Sequence, residues 1–128
     1  MKVLLDTQIV IWWNTESSKI EPVARELIGD SLVEKLVSHA TLWEMAIKIR
    51  IGKLIIRPSL FTFVEQNIKR NGMQLLPIDE YSIYATQNLE LHHQDPFDRL
   101  IIAQAIVGNI PVITSDKVWG KYPVRLLI

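Results

Sequence analysis

Apolar residues come in short runs whose period switches along the chain. Lys2–Leu5 is a nearly continuous apolar run halted by Asp6 and Thr7, which predicts a short buried strand turning into a helix whose apolar residues begin at Ile9 to Trp13. Val23, Leu27 and Ile28 stand at helical spacing within 21–30, and a strand is predicted over 34–38. A helix then runs from about Ala40 to Ile51 and is ended by Gly52. Pro58 opens another helical stretch over 59–70, closed by Asn71 and Gly72. Residues 74–78 read as a strand and 80–89 as a helix; a further helix ends at Gly108, and 111–114 is a β-rich run stopped by Ser115 and Asp116. Residues 124–128 are expected to add a final edge strand. No internal repeat, low-complexity tract or linker interrupts the sequence.

Strands separated by helical segments imply βαβ units, hence a mainly parallel sheet with helices on both faces. In such sheets ligands bind beyond the carboxyl ends of the strands. Asp6 and Asp116 each stand at such an end, after Val-Leu-Leu and Val-Ile-Thr.

Composition narrows the class. At 128 residues, 48% of them hydrophobic, the chain is long enough for a real core and is expected to form one domain over 1–128. With no cysteine, a disulfide framework and a thiolate zinc site are excluded, so any metal must be held by oxygen or imidazole. The N-terminal segment has neither a long uninterrupted apolar stretch nor a small-residue cleavage pattern, so a cytoplasmic protein whose domain begins at Met1 is expected, with no membrane span.

Fourteen Lys plus Arg balance fourteen Asp plus Glu, which argues against gripping nucleic acid by overall basicity. The spread is uneven, however. Lys48, Arg50, Lys53, Arg57, Lys69 and Arg70 make 44–70 basic, whereas 71–116 contains Arg99 as its one cation among six acids. This predicts either a basic flank facing an acidic centre or ordinary solvated helix faces.

The acids themselves admit two readings each. Asp95 precedes Pro96, a favoured first helical residue, and is predicted to cap that helix. Asp98 stands where an acid completes a capping box, yet it can equally present a carboxylate at the sheet rim while Phe97, Leu100, Ile101 and Ala105 anchor the helix. Glu44 is either half of an exposed pair with Lys48 one turn later or a residue bordering a cleft, since Trp43, Met45, Ala46, Ile47 and Ile49 leave only a narrow polar stripe. His92 and His93 are adjacent rather than on one helical face, so they are expected to be loop or surface residues and not metal ligands.

Taken together, Asp6, Glu44, Asp98 and Asp116 would gather negative charge at one rim, unfavourably unless a cation is present. Oxygen ligands select a hard ion, magnesium or manganese, and such ions serve phosphoryl chemistry. Phosphodiester hydrolysis by activated water needs no Ser, Cys or His nucleophile.

Five stretches then carry a family resemblance: LLDT at 4–7, LWEMAIKIRIGKL at 42–54, LPI at 76–78, HHQDPFDRLIIAQA at 92–105 and ITSD at 113–116. In this order and spacing they resemble the PIN-domain nucleases and, within them, the VapC-like toxins of toxin and antitoxin pairs. The resemblance implies a three-layer α/β/α sandwich and a magnesium-dependent endoribonuclease, with acidic site residues mapping onto Asp6, Glu44, Asp98 and Asp116. It places Thr7 and Thr114 as supporting polar residues and leaves Asp95 its capping role. It also implies a homodimer and a small antitoxin partner that blocks the site, with Trp12, Trp13 and Trp43 as candidate interface residues. Lys48, Arg50 and Lys53 follow Glu44 closely and are candidate contacts to RNA phosphates. Two other readings stand beside this one: a nuclease of RNA processing or of DNA with the same acids, and a non-catalytic module in which the acids merely hold a structural metal.

Overall fold

Leu4 and Leu5 decide the architecture, because β1 (Lys2–Leu5) is flanked on both sides. It pairs in parallel with β2 (Glu34–Ser38) through Leu4 to Leu36 and Leu5 to Val37, and with β4 (Val112–Ile113) through Leu4 to Val112 and Leu5 to Ile113. β3 (Gln74–Leu76) joins the far side of β2, giving the all-parallel order β3-β2-β1-β4 in a computed structural model that describes residues 1–127.

Parallel strands need crossovers, and helices supply them. In chain order these are α1 (Thr7–Thr15), α2 (Pro22–Gly29), α3 (His39–Arg50), α4 (Leu60–Phe63, continuing as a wider π turn over Val64–Lys69), α5 (Glu80–Thr86) and α6 (Pro96–Gly108), with short 3-10 turns at Ser17–Lys19 and Lys117–Lys121. Alternation along β1 divides the core between two faces. Val3 and Leu5 pack with Ile9, Val10, Ile28 and Ile68 on one face. Leu4 packs with Leu36, Ile101, Ile102 and Trp119 on the other. The result is the expected three-layer α/β/α sandwich. Val3, Leu4 and Leu5 are fully buried, and each such side chain contributes about 1.5–3 kcal/mol.

Three expectations about element ends are corrected. β3 stops at Leu76 rather than 78, because Pro77 has no amide to give to a ladder. α5 ends at Thr86, and the residues after it turn away, held by side-chain contacts described below. The expected final strand reduces to one bridge between Val112 and Leu126, since β4 is only two residues long and offers little to pair with; Ile128 lies outside the described residues.

The parallel register brings the carboxyl ends of β1, β2 and β4 to one rim. A buried polar bracket fixes it: Ser38, at the end of β2, caps α3 by accepting from the Ala40 amide and donates to Gln104 Oε1 of α6. Gln104 Nε2 in turn donates to the Pro77 carbonyl at 3.1 Å, so β2, α6 and the end of β3 are tied together.

Candidate active site

At that rim lies a cavity of about 300 Å³ bordered by Asp6, Glu44, Lys48, Asp98 and Asp116, with Thr7, Gln8, Asp95 and Ser115 completing its wall. The four acids expected from sequence therefore share one cavity, each delivered by a different element. Asp6 is the residue between β1 and α1, and although it holds the N-cap position its side chain makes no capping hydrogen bond. Its Oδ2 instead accepts from Thr114 Oγ1 at 2.7 Å. Thr114 is fully buried just beyond β4 and also accepts from the Asp116 amide at 3.0 Å. Thr7, also in the cavity wall, has its hydroxyl 2.9 Å from that of Thr41 on α3, a contact that braces the helix carrying Glu44.

Asp95 and Asp98 divide their roles as their positions in α6 suggest. Asp95 caps the helix, Oδ1 accepting from the Phe97 and Asp98 amides at 2.8 and 3.1 Å. Asp98 completes no capping box and turns its carboxylate into the cavity. Asp116 does both: Oδ1 caps the following turn by accepting from Val118, while Oδ2 meets the His93 imidazole at 2.8 Å.

Burial and mutual repulsion raise two of the carboxyls in the cavity. Burial raises the Asp6 carboxyl to about 6, opposed by the Thr114 hydrogen bond and by the nearby amides and reinforced by the Glu44 charge. Asp98 is raised to about 7, first by burial and then by repulsion from Asp6, Asp95 and Glu44, with His93 pulling in the opposite direction. Glu44 is buried, and its Oε2 pairs with Lys48 Nζ at 3.1 Å. Its Oε1, also buried, has no hydrogen-bond partner among the described residues. An orphaned carboxylate oxygen beside two carboxyls that resist ionisation is what a divalent, oxygen-seeking ion would relieve. The residues present thus fit magnesium or manganese.

Of the three cations placed beside the site from sequence, Lys48 alone borders the cavity; Arg50 and Lys53 are exposed outside its wall. The histidines lie in a loop before α6, as expected, but differ in burial. The His93 side chain is only 11% exposed, and its nearest ligand atom lies within 4.8 Å of those of Asp98 and Asp116. Two residues never singled out for the site hold that loop. Tyr122 Oη accepts from the His92 and His93 amides at 3.2 and 2.8 Å. Arg99 spreads its guanidinium over the carbonyls of Thr86, Leu89, Glu90 and His93. Its isolation as the one cation in an acidic stretch was the available signal.

Away from the cavity, Trp43 is 59% exposed and meets Phe97 edge-on at 5.1 Å. It opens an apolar groove with Ile78, Ile83, Pro96 and Leu100. Trp12 and Trp13 are half-buried against the core, and Trp119 is wholly inside it. Among the described residues no helix is long and apolar enough to cross a membrane.

Comparison with known proteins bears on the family and the fold. The family model for the PIN domain matches residues 3–124. No curated protein sequence matches the chain. Among solved structures, it is similar to VapBC2 from Rickettsia felis bound to a promoter DNA fragment, with TM-score 0.73 and 15% identity over 98% of this chain and 97% of the other. It is also similar to FitAcB from Neisseria gonorrhoeae, with TM-score 0.66 and 22% identity over 100% and 97% of the two chains. VapBC-1 from nontypeable Haemophilus influenzae gives TM-score 0.65 and 19% identity over 94% and 91%.

Proposed function

The chain belongs to the PIN-domain family, whose members are nucleases, and from that premise we propose that it is a magnesium-dependent endoribonuclease acting as the toxin of a toxin and antitoxin pair. The observation that carries the chemistry is the convergence of Asp6, Glu44, Asp98 and Asp116 on one cavity in which a buried Glu44 oxygen lacks a partner. In this reading those four residues hold the metal. Magnesium, or manganese in its place, would supply an activated water and offset the charge developing on the phosphate. Thr114 orients Asp6 through Oδ2, and Lys48, the one cation at the cavity wall, meets a phosphate of the RNA. The cavity lies at the rim formed by the carboxyl ends of the strands, where parallel sheets bind their ligands.

The toxin assignment is supported by the likeness to VapBC and FitAcB chains over nearly their whole length. It carries with it a single-domain cytoplasmic protein that forms a homodimer and is silenced by an antitoxin. The exposed apolar groove at Trp43 and Ile83 supports association through that face.

The test is cleavage by the purified, partner-free protein. Single-stranded RNA should be cut in magnesium, leaving 5′-phosphate and 3′-hydroxyl ends, and DNA of the same sequence should not. Equal cutting in excess chelator would remove the metal from the mechanism, and 2′,3′-cyclic phosphate products would assign attack to the RNA's own hydroxyl. Preferential cutting of DNA would favour the rival nuclease, and metal binding without cleavage the non-catalytic module.

A further inference from the structure

We propose that His93 is a positioning residue that fixes the Asp116 carboxylate for the metal without ligating it. The proposal rests on the reading of Asp116 as a metal-holding residue.

Donor and acceptor accounting assigns the tautomer. Tyr122 Oη already accepts from the backbone amides of His92 and His93, so the remaining role for its own hydrogen is donation. Its neighbour in reach is His93 Nδ1 at 3.3 Å. A ring accepting at Nδ1 carries its proton on Nε2, which faces Asp116 Oδ2 at 2.8 Å. Both ring nitrogens are then engaged with protein: Nε2 carries the proton, and the one in-plane lone pair, on Nδ1, is directed to Tyr122. Closeness to Asp98 and Asp116 alone would have suggested a direct ligand; the hydrogen-bond balance gives the ring a different task.

The ring is held on every side. It stacks on Tyr122 with centroids 5.6 Å apart and planes 19° apart, and meets Trp119 edge-on at 6.4 Å. The Arg99 clamp on the carbonyls of residues 86–93 fixes the backbone that carries it. Asp116 needs such a brace, because its side chain is 39% exposed and its other oxygen is committed to the Val118 amide. With one donor on each oxygen the carboxylate can no longer rotate, and partners of this kind to a metal-holding group are worth about 10–100-fold in metal affinity.

The experiment is calorimetric titration of the full chain with manganese chloride alone, on the parent, D116N, H93A, the H93A/D116N double variant, H93Q, H93N and Y122F. A glutamine amide can take the place of Nε2 and donate to Asp116, whereas an asparagine amide falls at Nδ1 on the Tyr122 side. H93A and H93N should therefore weaken manganese binding by about 10-fold or more. H93Q should restore most of it, Y122F should lose part of it, and H93A should add little in the D116N background. Metal-free melting curves identify variants that have lost the fold, and if H93A is one, the contrast between H93Q and H93N carries the comparison. Unchanged binding in H93A while D116N binds weakly overturns the positioning role. Additive losses in the double variant overturn it in favour of direct ligation. Parent-like binding by D116N would instead remove Asp116 from the metal set and the proposal with it.

Discussion

Thr114 Oγ1 donates to Asp6 Oδ2 across 2.7 Å, joining the residues that directly follow two adjacent parallel strands. The bond favours the charged form of a carboxyl that burial otherwise drives toward neutrality.

Thr114→Val should keep the shape of this buried position while removing the hydroxyl. Asp6 loses its donor and the Asp116 amide loses its acceptor. Magnesium affinity should fall about 10-fold or more, and metal-free stability should drop by about 1–3 kcal/mol. Thr114→Ser retains the hydroxyl and should remain close to the parent in both. Calorimetric titration with magnesium beside urea melts checks this, and equal metal affinity in Thr114→Val would release Thr114 from the site.

Asp98 and Asp95 should separate chemistry from capping. Asp98→Asn removes a repelling charge from the metal-free cavity, so that fold should be no less stable than the parent. Its cleavage rate should nonetheless fall about 100-fold or more, a loss of roughly 2.7 kcal/mol or more of transition-state stabilisation. Asp95→Ala removes the donor-satisfying cap of α6 and should cost about 0.5–2 kcal/mol with a smaller effect on rate. An early-melting but active Asp98→Asn beside a stable but inactive Asp95→Ala would reverse the two assignments.

The raised carboxyls also set a pH dependence. Relative to an unfolded value of 3.8, Asp6 at about 6 and Asp98 at about 7 make the metal-free fold retain protons that the unfolded chain has released. Their contribution to stability is thus present at pH 3.8 and below and is lost as pH rises through 6 and then 7. Metal-free melting temperature should decline between pH 5.5 and 8, and Asp98→Asn should decline less. Magnesium competes with those protons, so its stabilising increment should grow over the same interval. Thermal melts across this range decide the matter: a parent and Asp98→Asn that change in parallel would mean that Asp98 is not raised.

Much of this arrangement is legible in the order of residues because it depends on local rules. Asp6 and Asp116 are marked by the strands that stop at them, and Asp95 by the proline that follows it. The site of Glu44 is legible only as a pair of alternatives, since the Lys48 contact belongs to one helix whereas its burial depends on what the fold packs around α3. His93 escapes for the same reason. Its partners Asp116 and Tyr122 are 23 and 29 positions away, and no periodicity encodes a contact of that separation. Residues 124–128 mislead because strand propensity cannot reveal that the neighbour, β4, is only two residues long.

Lys48 tests how the site meets its substrate. Among the cations at 48, 50 and 53 it alone borders the acidic cavity, while Arg50 and Lys53 are exposed beyond its wall. Its ammonium pairs with Glu44 Oε2 at 3.1 Å, and a divalent ion held by the acids would share that attraction. The ammonium would then be available to a phosphate flanking the scissile bond. Neutralising one phosphate contact flattens the dependence of log affinity on log salt by about 0.7 for a single strand. Lys48→Met, which keeps the apolar stem, should show that loss of slope for RNA binding measured in an inactive Asp98→Asn background. Arg50→Met and Lys53→Met should show a smaller change if they face solvent. A slope unchanged in Lys48→Met but reduced in the other two would move the RNA path off the cavity wall and onto the exposed end of α3.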